Sequence, residues 1–223
     1  MDSILCHNVL TMKRCVIIGG APIKEYARVR AYFSAEDDYV FCDSGLRHME
    51  ALGAKPSLIV GDFDSWHAPE GSKTECETIT LPHEKDDTDT AYAVKECIRR
   101  GYDAFLLTGC AGARLDHTLG NVQLLVRLYR AGKRALLVDD HSEMEIVGRE
   151  TVTVSDRFPY FSLLNITGSA RSVTITDAKF PLTDAQIPTD DPYGISNETI
   201  AGKTSRVSVR GGELLLVRVF PDE

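Results

Sequence analysis

The sequence predicts an α/β fold: a doubly wound, mostly parallel sheet forms the N-terminal domain, and a small antiparallel β-sandwich domain follows it. Three observations lead there. Short apolar runs that stop at glycine or aspartate alternate with helix-length amphipathic segments over residues 14–140. After about Gly148 that rhythm is replaced by short β-branched segments separated by Pro, Gly, Asp and Ser. Acidic residues recur just beyond the end of successive apolar runs in the first region. The boundary near residues 148–150 divides the chain into domains 1–148 and 149–223, with 1–12 expected to be an unstructured extension.

Each element has its own warrant. RCVIIGG (14–20) is a continuous apolar run closed by glycines, the pattern of a strand buried on both faces. IKEYARVRAYF (23–33) carries helical spacing, DYVFCD (38–43) reads as a strand, and SGLRHMEALG (44–53) as a short helix closed by Gly53. SLIVGD is the next strand, and ECETITLP (75–82) is a strand stopped by Pro82. TDTAYAVKECIRRG (88–101) is a helix with Ala91, Val94 and Ile98 on its apolar face. AFLLTG (104–109) is a strand; LDHTLGNVQLLVRLYRAG (115–132) is a helix expected to bury Leu115, Leu119, Val122, Val126 and Tyr129; RALLVDD (134–140) is a strand. TVTVS, YFSLLNI, RSVTITDA, SRVSVR and ELLLVRV supply the strands of the second domain.

Composition narrows the function class. The 223 residues carry a formal net charge of −8, and no basic stripe is available to neutralise nucleic-acid phosphates. No apolar run approaches the ~20 residues that span a bilayer, and the first residues lack a signal-peptide core, so a cytoplasmic protein is expected. The six cysteines are scattered without CxxC spacing, and most fall inside apolar segments, where cysteine acts as a small hydrophobe.

The acids are informative by position. Asp43 follows VFC, Asp62 and Asp64 follow LIVG, Lys85–Asp89 (KDDTD) follows ECETITLP, and Asp116 follows FLLTG within ARLDH. In an open α/β sheet the carboxyl ends of the strands line one edge, where ligands bind. Two carboxylates ~4 Å apart repel by ~4 kcal/mol at an effective dielectric of 20, so such a gathering calls for a cation. Oxygen ligands without Cys or His suit Mg²⁺, which bridges carboxylates to substrate phosphates. Lys85 and Arg114 are the nearby cations suited to phosphate oxygens. Simpler roles compete: Asp86, Asp87, Thr88 and Asp89 also fit a helix start, Asp116 fits the first turn of a helix, and Asp43 fits a turn. GDFDS is the hardest of these to explain by packing.

Other patterns fail. AGKTS (201–205) lacks the upstream glycine of a phosphate loop, and GCAGAR (109–114) lacks dinucleotide-fingerprint spacing.

DSGLRHMEALGAKPSLIVGDFDS, KDDTD, the stretch ending RLDHTLGN and the late GISNE, in that order, resemble the thiamine pyrophosphokinase family from about residue 14 to 219. The resemblance implies diphosphoryl transfer from ATP to the hydroxyl of thiamine with release of AMP. It also implies an α/β nucleotide-binding domain, a β-sandwich domain, and a homodimer with shared active sites. By motif, Asp43, Asp62, Asp64 and Asp89 would surround Mg²⁺, and Lys85 and Arg114 would neutralise phosphoryl charge. Asp86, Ser65 and Thr88 would support the nucleotide, Asp116 would receive or orient the hydroxyl proton, and Ser196 and Asn197 would reach thiamine in the partner subunit. Cys110 and Ala113 interrupt a turn that carries more glycines in the family. Trp66 is the single tryptophan and sits beside GDFDS, which leaves Tyr193 and Phe220 as candidates to stack on thiamine. A related diphosphokinase acting on a hydroxymethylpterin, or a non-catalytic nucleotide or thiamine sensor, are the alternatives.

Overall fold

The computed structural model describes residues 12–62, 76–82, 86–168 and 170–221. In chain order the elements are β1 (Arg14–Ile18), α1 (Tyr26–Arg30), β2 (Asp38–Cys42), a 3-10 turn (Asp43–His48), α2 (Met49–Leu52) and β3 (Pro56–Gly61). There follow β4 (Glu77–Thr80), α3 (Asp89–Arg99), β5 (Ala104–Thr108), α4 (Leu115–Arg130) and β6 (Arg134–Val138). The remainder is β7 (Ser142–Val147), β8 (Val152–Ser155), β9 (Tyr160–Leu164), β10 (Ala170–Thr176), β11 (Leu182–Ala185), β12 (Asn197–Glu198), β13 (Thr204–Gly212) and β14 (Leu214–Val219).

Two sheets hold these strands. The large one has the order β12-β9-β14-β7-β6-β5-β1-β2-β3-β4, and the small one β11-β10-β13-β8. Strands β1 to β6 of the large sheet run parallel, as expected of buried strands joined by helices. Alternate residues of those strands feed two cores. Cys15, Ile17, Val60, Phe105 and Leu107 pack against α3 and α4, while Val16, Ile18, Phe41, Ile59 and Leu106 pack against α1, Leu46 and Leu52. Helices therefore cover both faces, which is the doubly wound arrangement.

The second region is built differently from a free-standing sandwich. Strands β7, β14, β9 and β12 continue the large sheet by antiparallel pairing, and the small antiparallel sheet packs over their extension. The core between them contains Val147, Phe161, Leu163 and Leu214 from the large sheet, with Val154, Val173, Ile175 and Val207 from the small one. The sandwich thus shares one of its two layers with the α/β region.

Several local expectations are corrected. The helix over 23–33 is confined to Tyr26–Arg30, because the amides of Lys24 and Glu25 are bound by the Asp140 carboxylate instead of entering a helix. The buried stripe of α4 is Asn121, Val122, Leu124, Leu125 and Leu128; Leu115 and Leu119 are 71% and 55% exposed. This helix meets the core only from Val122 onward, so its first turns stay outside. Strand β7 had no apolar signature because Glu143 and Glu145 face Arg218 across the ladder.

Candidate active site at the carboxyl ends of the parallel strands

Asp43 is the residue after β2, Asp62 the residue after β3, and Asp89 the first residue of α3. One carboxylate oxygen from each lies within 4.8 Å of the others, with Asp43 buried and its two companions half-buried. Residues from three separate connections therefore converge on one point of the sheet edge. Backbone shape makes this possible. Asp43 has a φ of 37°, a left-handed conformation that few non-glycine residues adopt. Gly61, immediately before Asp62, has Asp43 so close that a Cβ there would lie 2.9 Å from the Asp43 Cβ. The glycine before the first acid of GDFDS is thus required by the neighbouring strand's turn.

At Asp89 the helix start serves the site. Thr88 is the N-cap of α3, its hydroxyl accepting from the Ala91 amide at 3.2 Å. The cap fixes where the helix begins, and so where Asp89 stands. Asp86 is exposed, and Asp87 pairs with Lys95 farther along α3. Cys42, just before Asp43, is fully enclosed, and burial holds its thiol well above the usual range, hence neutral.

Arg114 and Asp116 form a separate arrangement at the start of α4. The guanidinium donates to both carboxylate oxygens, at 3.1 and 2.5 Å, and both side chains are about two-thirds exposed. The Asp116 carboxyl is held down to about 2, first by Arg114 and then by the His117 amide. Asp116 is not a member of the Asp43–Asp62–Asp89 group. The preceding turn uses positive φ at Gly109, Gly112 and also Ala113 (51°), so alanine occupies a glycine-like conformation there. Asn121 fixes that turn by donating to the Cys110 carbonyl at 2.7 Å.

The GISNE segment lies at the far edge of the large sheet. Asn197 is buried and its side chain serves the fold: Nδ2 donates to the Phe180 carbonyl at 2.7 Å, and Oδ1 accepts from the Phe180 and Glu198 amides. Ser196 beside it is exposed with a φ of 59°, its amide donating to Ser162 Oγ. Large apolar side chains around it are exposed: Tyr160 (47%), Phe180 (53%), Tyr193 (54%) and Ile195 (48%). Phe220, half-buried, has its ring engaged by Tyr32, Phe158 and Arg28. Asp64, Ser65, Trp66 and Lys85 lie outside the described residues.

A wide cleft lies elsewhere. About 1590 Å³ in volume, it lies at the amino ends of the strands, walled by Arg14, Asp37, Glu143 and Arg218, whose charges are already paired with one another. A groove in which Arg14–Asp37 and Arg218–Glu143 are already paired is a weaker candidate than the acidic convergence.

The family model for the thiamin pyrophosphokinase catalytic domain matches residues 29–137, and that for the vitamin B1 binding domain matches residues 149–214. The chain belongs to the thiamin pyrophosphokinase family. A thiamine pyrophosphokinase of Bacillus subtilis is 27% identical over 212 residues, covering 93% of this chain and 99% of that protein. The crystal structure of the Geobacillus thermodenitrificans thiamin pyrophosphokinase superposes with a TM-score of 0.81 at 27% identity, covering 94% and 99% of the two chains. The Candida albicans thiamin pyrophosphokinase, at 12% identity, shares the fold with a TM-score of 0.76 over 94% of this chain and 90% of that one. Within the family, the acidic convergence falls inside the catalytic match and Ser196–Asn197 inside the vitamin-binding match.

Proposed function

We propose that this enzyme transfers a diphosphoryl group from ATP to the hydroxyl of thiamine, giving thiamine diphosphate and AMP. The observation that carries the reading is the convergence of Asp43, Asp62 and Asp89 at the strand ends of a thiamin pyrophosphokinase chain. Three carboxylates this close repel strongly unless a cation is shared, and an all-oxygen set fits Mg²⁺ better than a softer metal. Asp43, Asp62 and Asp89 would hold Mg²⁺, with Asp64 of the same motif joining them. The ion would supply charge neutralisation for the triphosphate and for the transferred group.

The chain's own residues divide the remaining work. Diphosphoryl transfer asks a protein chiefly for in-line positioning and electrostatic stabilisation. Arg114, anchored on Asp116 at the start of α4, would hold phosphoryl oxygens together with Lys85. Asp116, ionised by its pairing with Arg114, would orient the thiamine hydroxyl or receive its proton. Asp86, Ser65 and Thr88 would support the nucleotide, Thr88 through its placement of Asp89. Thiamine carries a permanent positive charge, so Tyr193, exposed next to Ser196, suits it as an aromatic neighbour.

The exposed apolar side chains around β12 favour a homodimer in which Ser196 of one chain reaches the α/β region of the other. Asn197 would then act by holding Ser196 in its left-handed turn. No helix among the described residues is long and apolar enough to cross a membrane. A cytoplasmic location is the matching expectation.

The test is AMP release in mixtures of enzyme, Mg²⁺, ATP and thiamine. AMP formed with thiamine and abolished by Asp62→Asn supports the reading; AMP formed only with a hydroxymethylpterin, or with neither, overturns it. Sharing of sites is checked by mixing two inactive variants, Asp89→Asn and Ser196→Trp. Activity regained on mixing supports the shared site, and none regained removes it.

A further inference from the structure

His48 closes the 3-10 turn that Asp43 opens, and it is only 2% exposed. Both ring nitrogens are engaged: Nδ1 lies 2.8 Å from the Tyr26 hydroxyl and Nε2 3.0 Å from the Ala21 carbonyl. A carbonyl only accepts, so Nε2 carries the proton and Nδ1 accepts from Tyr26. Burial lowers the pKa of the ring; the Ala21 carbonyl and Asp140 oppose this and Arg47 reinforces it. The neutral tautomer is the one this geometry uses.

Ala21 belongs to the loop leaving β1, and its own amide donates to the Gly109 carbonyl at 2.9 Å. His48 therefore ties the turn carrying Asp43 to the loops of two central strands. Between those ends the turn has no slack. A Cβ on Gly45 would lie 2.2 Å from the Ile18 carbonyl oxygen, and one on Gly20 would lie 1.9 Å from Ser44 Oγ. Asp43 occupies an unfavourable backbone conformation, which persists only where the surroundings over-determine it.

The geometry points to His48 as a positioning residue for the metal site: its Nε2–H bond to Ala21 fixes the 3-10 turn so that the Asp43 carboxylate stays beside those of Asp62 and Asp89. This rests on the proposed metal-holding role of those three residues. The histidine touches neither substrate nor ligand and acts through the turn alone.

Mn²⁺ binding to the nucleotide-free protein, read by electron paramagnetic resonance, tests it without turnover. His48→Phe, which keeps a planar aromatic ring of somewhat larger size and removes the donor, should weaken Mn²⁺ binding by about tenfold, the low end of what lost support around a metal ligand costs. His48→Gln, whose amide can still donate to Ala21, should stay within about twofold of the parent. If the Phe variant does not fold, His48→Asn takes its place, since it keeps an acceptor near the Nδ1 position and cannot reach Ala21. Equal affinity in the donor-lacking variant and the parent overturns the proposal, as does equal weakening in the donor-keeping one. A parent that binds no Mn²⁺ overturns the metal reading itself, and this proposal with it.

Discussion

Gly61 and Asp43 stand against each other at the ends of adjacent strands, so close that a Cβ on the glycine would lie 2.9 Å from the Cβ and 3.1 Å from the Cα of the aspartate. The obstruction is backbone and Cβ, not the tip of a movable side chain. Gly61→Ala must push the Asp43 turn away from Asp62 and Asp89. Turnover and Mg²⁺ affinity are expected to fall by at least about tenfold, with an overpacking cost of ~1–3 kcal/mol in stability. Steady-state rates against Mg²⁺ concentration would show it; an unchanged half-saturating concentration would contradict the packing argument.

Gly120 supplies the contrasting case. It lies inside α4, is exposed, and has nothing within 4 Å of a built Cβ. Gly120→Ala should therefore stabilise the protein by up to ~1 kcal/mol, the difference in helix propensity between the two residues. Thermal unfolding measures it. A lowered midpoint would mean that the exposed start of α4 is covered by something with no room for a methyl group.

Much of this arrangement was legible in the chain. Apolar runs such as CVII and FLLT have one reading when both faces of a sheet are covered, and Thr88 announced the start of α3 through its capping chemistry. The acidic rim followed because strand ends in a parallel sheet share an edge. What escaped depended on partners remote in sequence. Glu143 and Glu145 look like surface residues until Arg218, more than seventy positions away, is paired with them. Leu115 and Leu119 fit the helical period yet lie beyond the core that would cover them. Phe220 reads as a free aromatic, but its ring packs against Tyr32 and Phe158. His48 has no local pattern at all, because its bonds go to a loop and a helix across the fold.

The Arg218–Glu143 pair gives a stability prediction. Both residues are nearly fully buried; Arg218 Nη1 donates to Glu143 at 2.9 Å, and Nη2 donates to Glu145 and to the Thr153 carbonyl. Tyr32 and Arg157 also donate to Glu143. Arg218→Met removes the buried cation facing Glu143, leaving it Tyr32 and the mostly exposed Arg157, and should cost up to ~3–5 kcal/mol. Adding Glu143→Leu should restore much of that loss, since a buried pair replaced by apolar side chains is often close to neutral. Denaturant titration of the two variants decides it, and a double variant no more stable than the single one would show that the network contributes beyond charge compensation.

Burial holds the His48 pKa below the ordinary histidine value. The unfolded chain takes up a proton at that position near pH ~6.5, whereas the native ring does so only at lower pH. Between those two values the unfolded state binds more protons, so native stability declines as the pH falls through that window and is fully present above it. Arg47 and Asp140 are the charged groups acting on the ring, Tyr26 and Ala21 its bonded neighbours, and only Asp140 among the charges would favour the protonated form. The parent should therefore lose more thermal stability than His48→Gln when the pH is lowered from about 7.5 to about 5.5, a window that brackets the ordinary histidine value. Carboxylates titrating nearby contribute equally to both proteins and cancel in the difference. Identical losses in the two would mean that the ring is solvated as it protonates, and the enclosed bond to Ala21 would have to be abandoned.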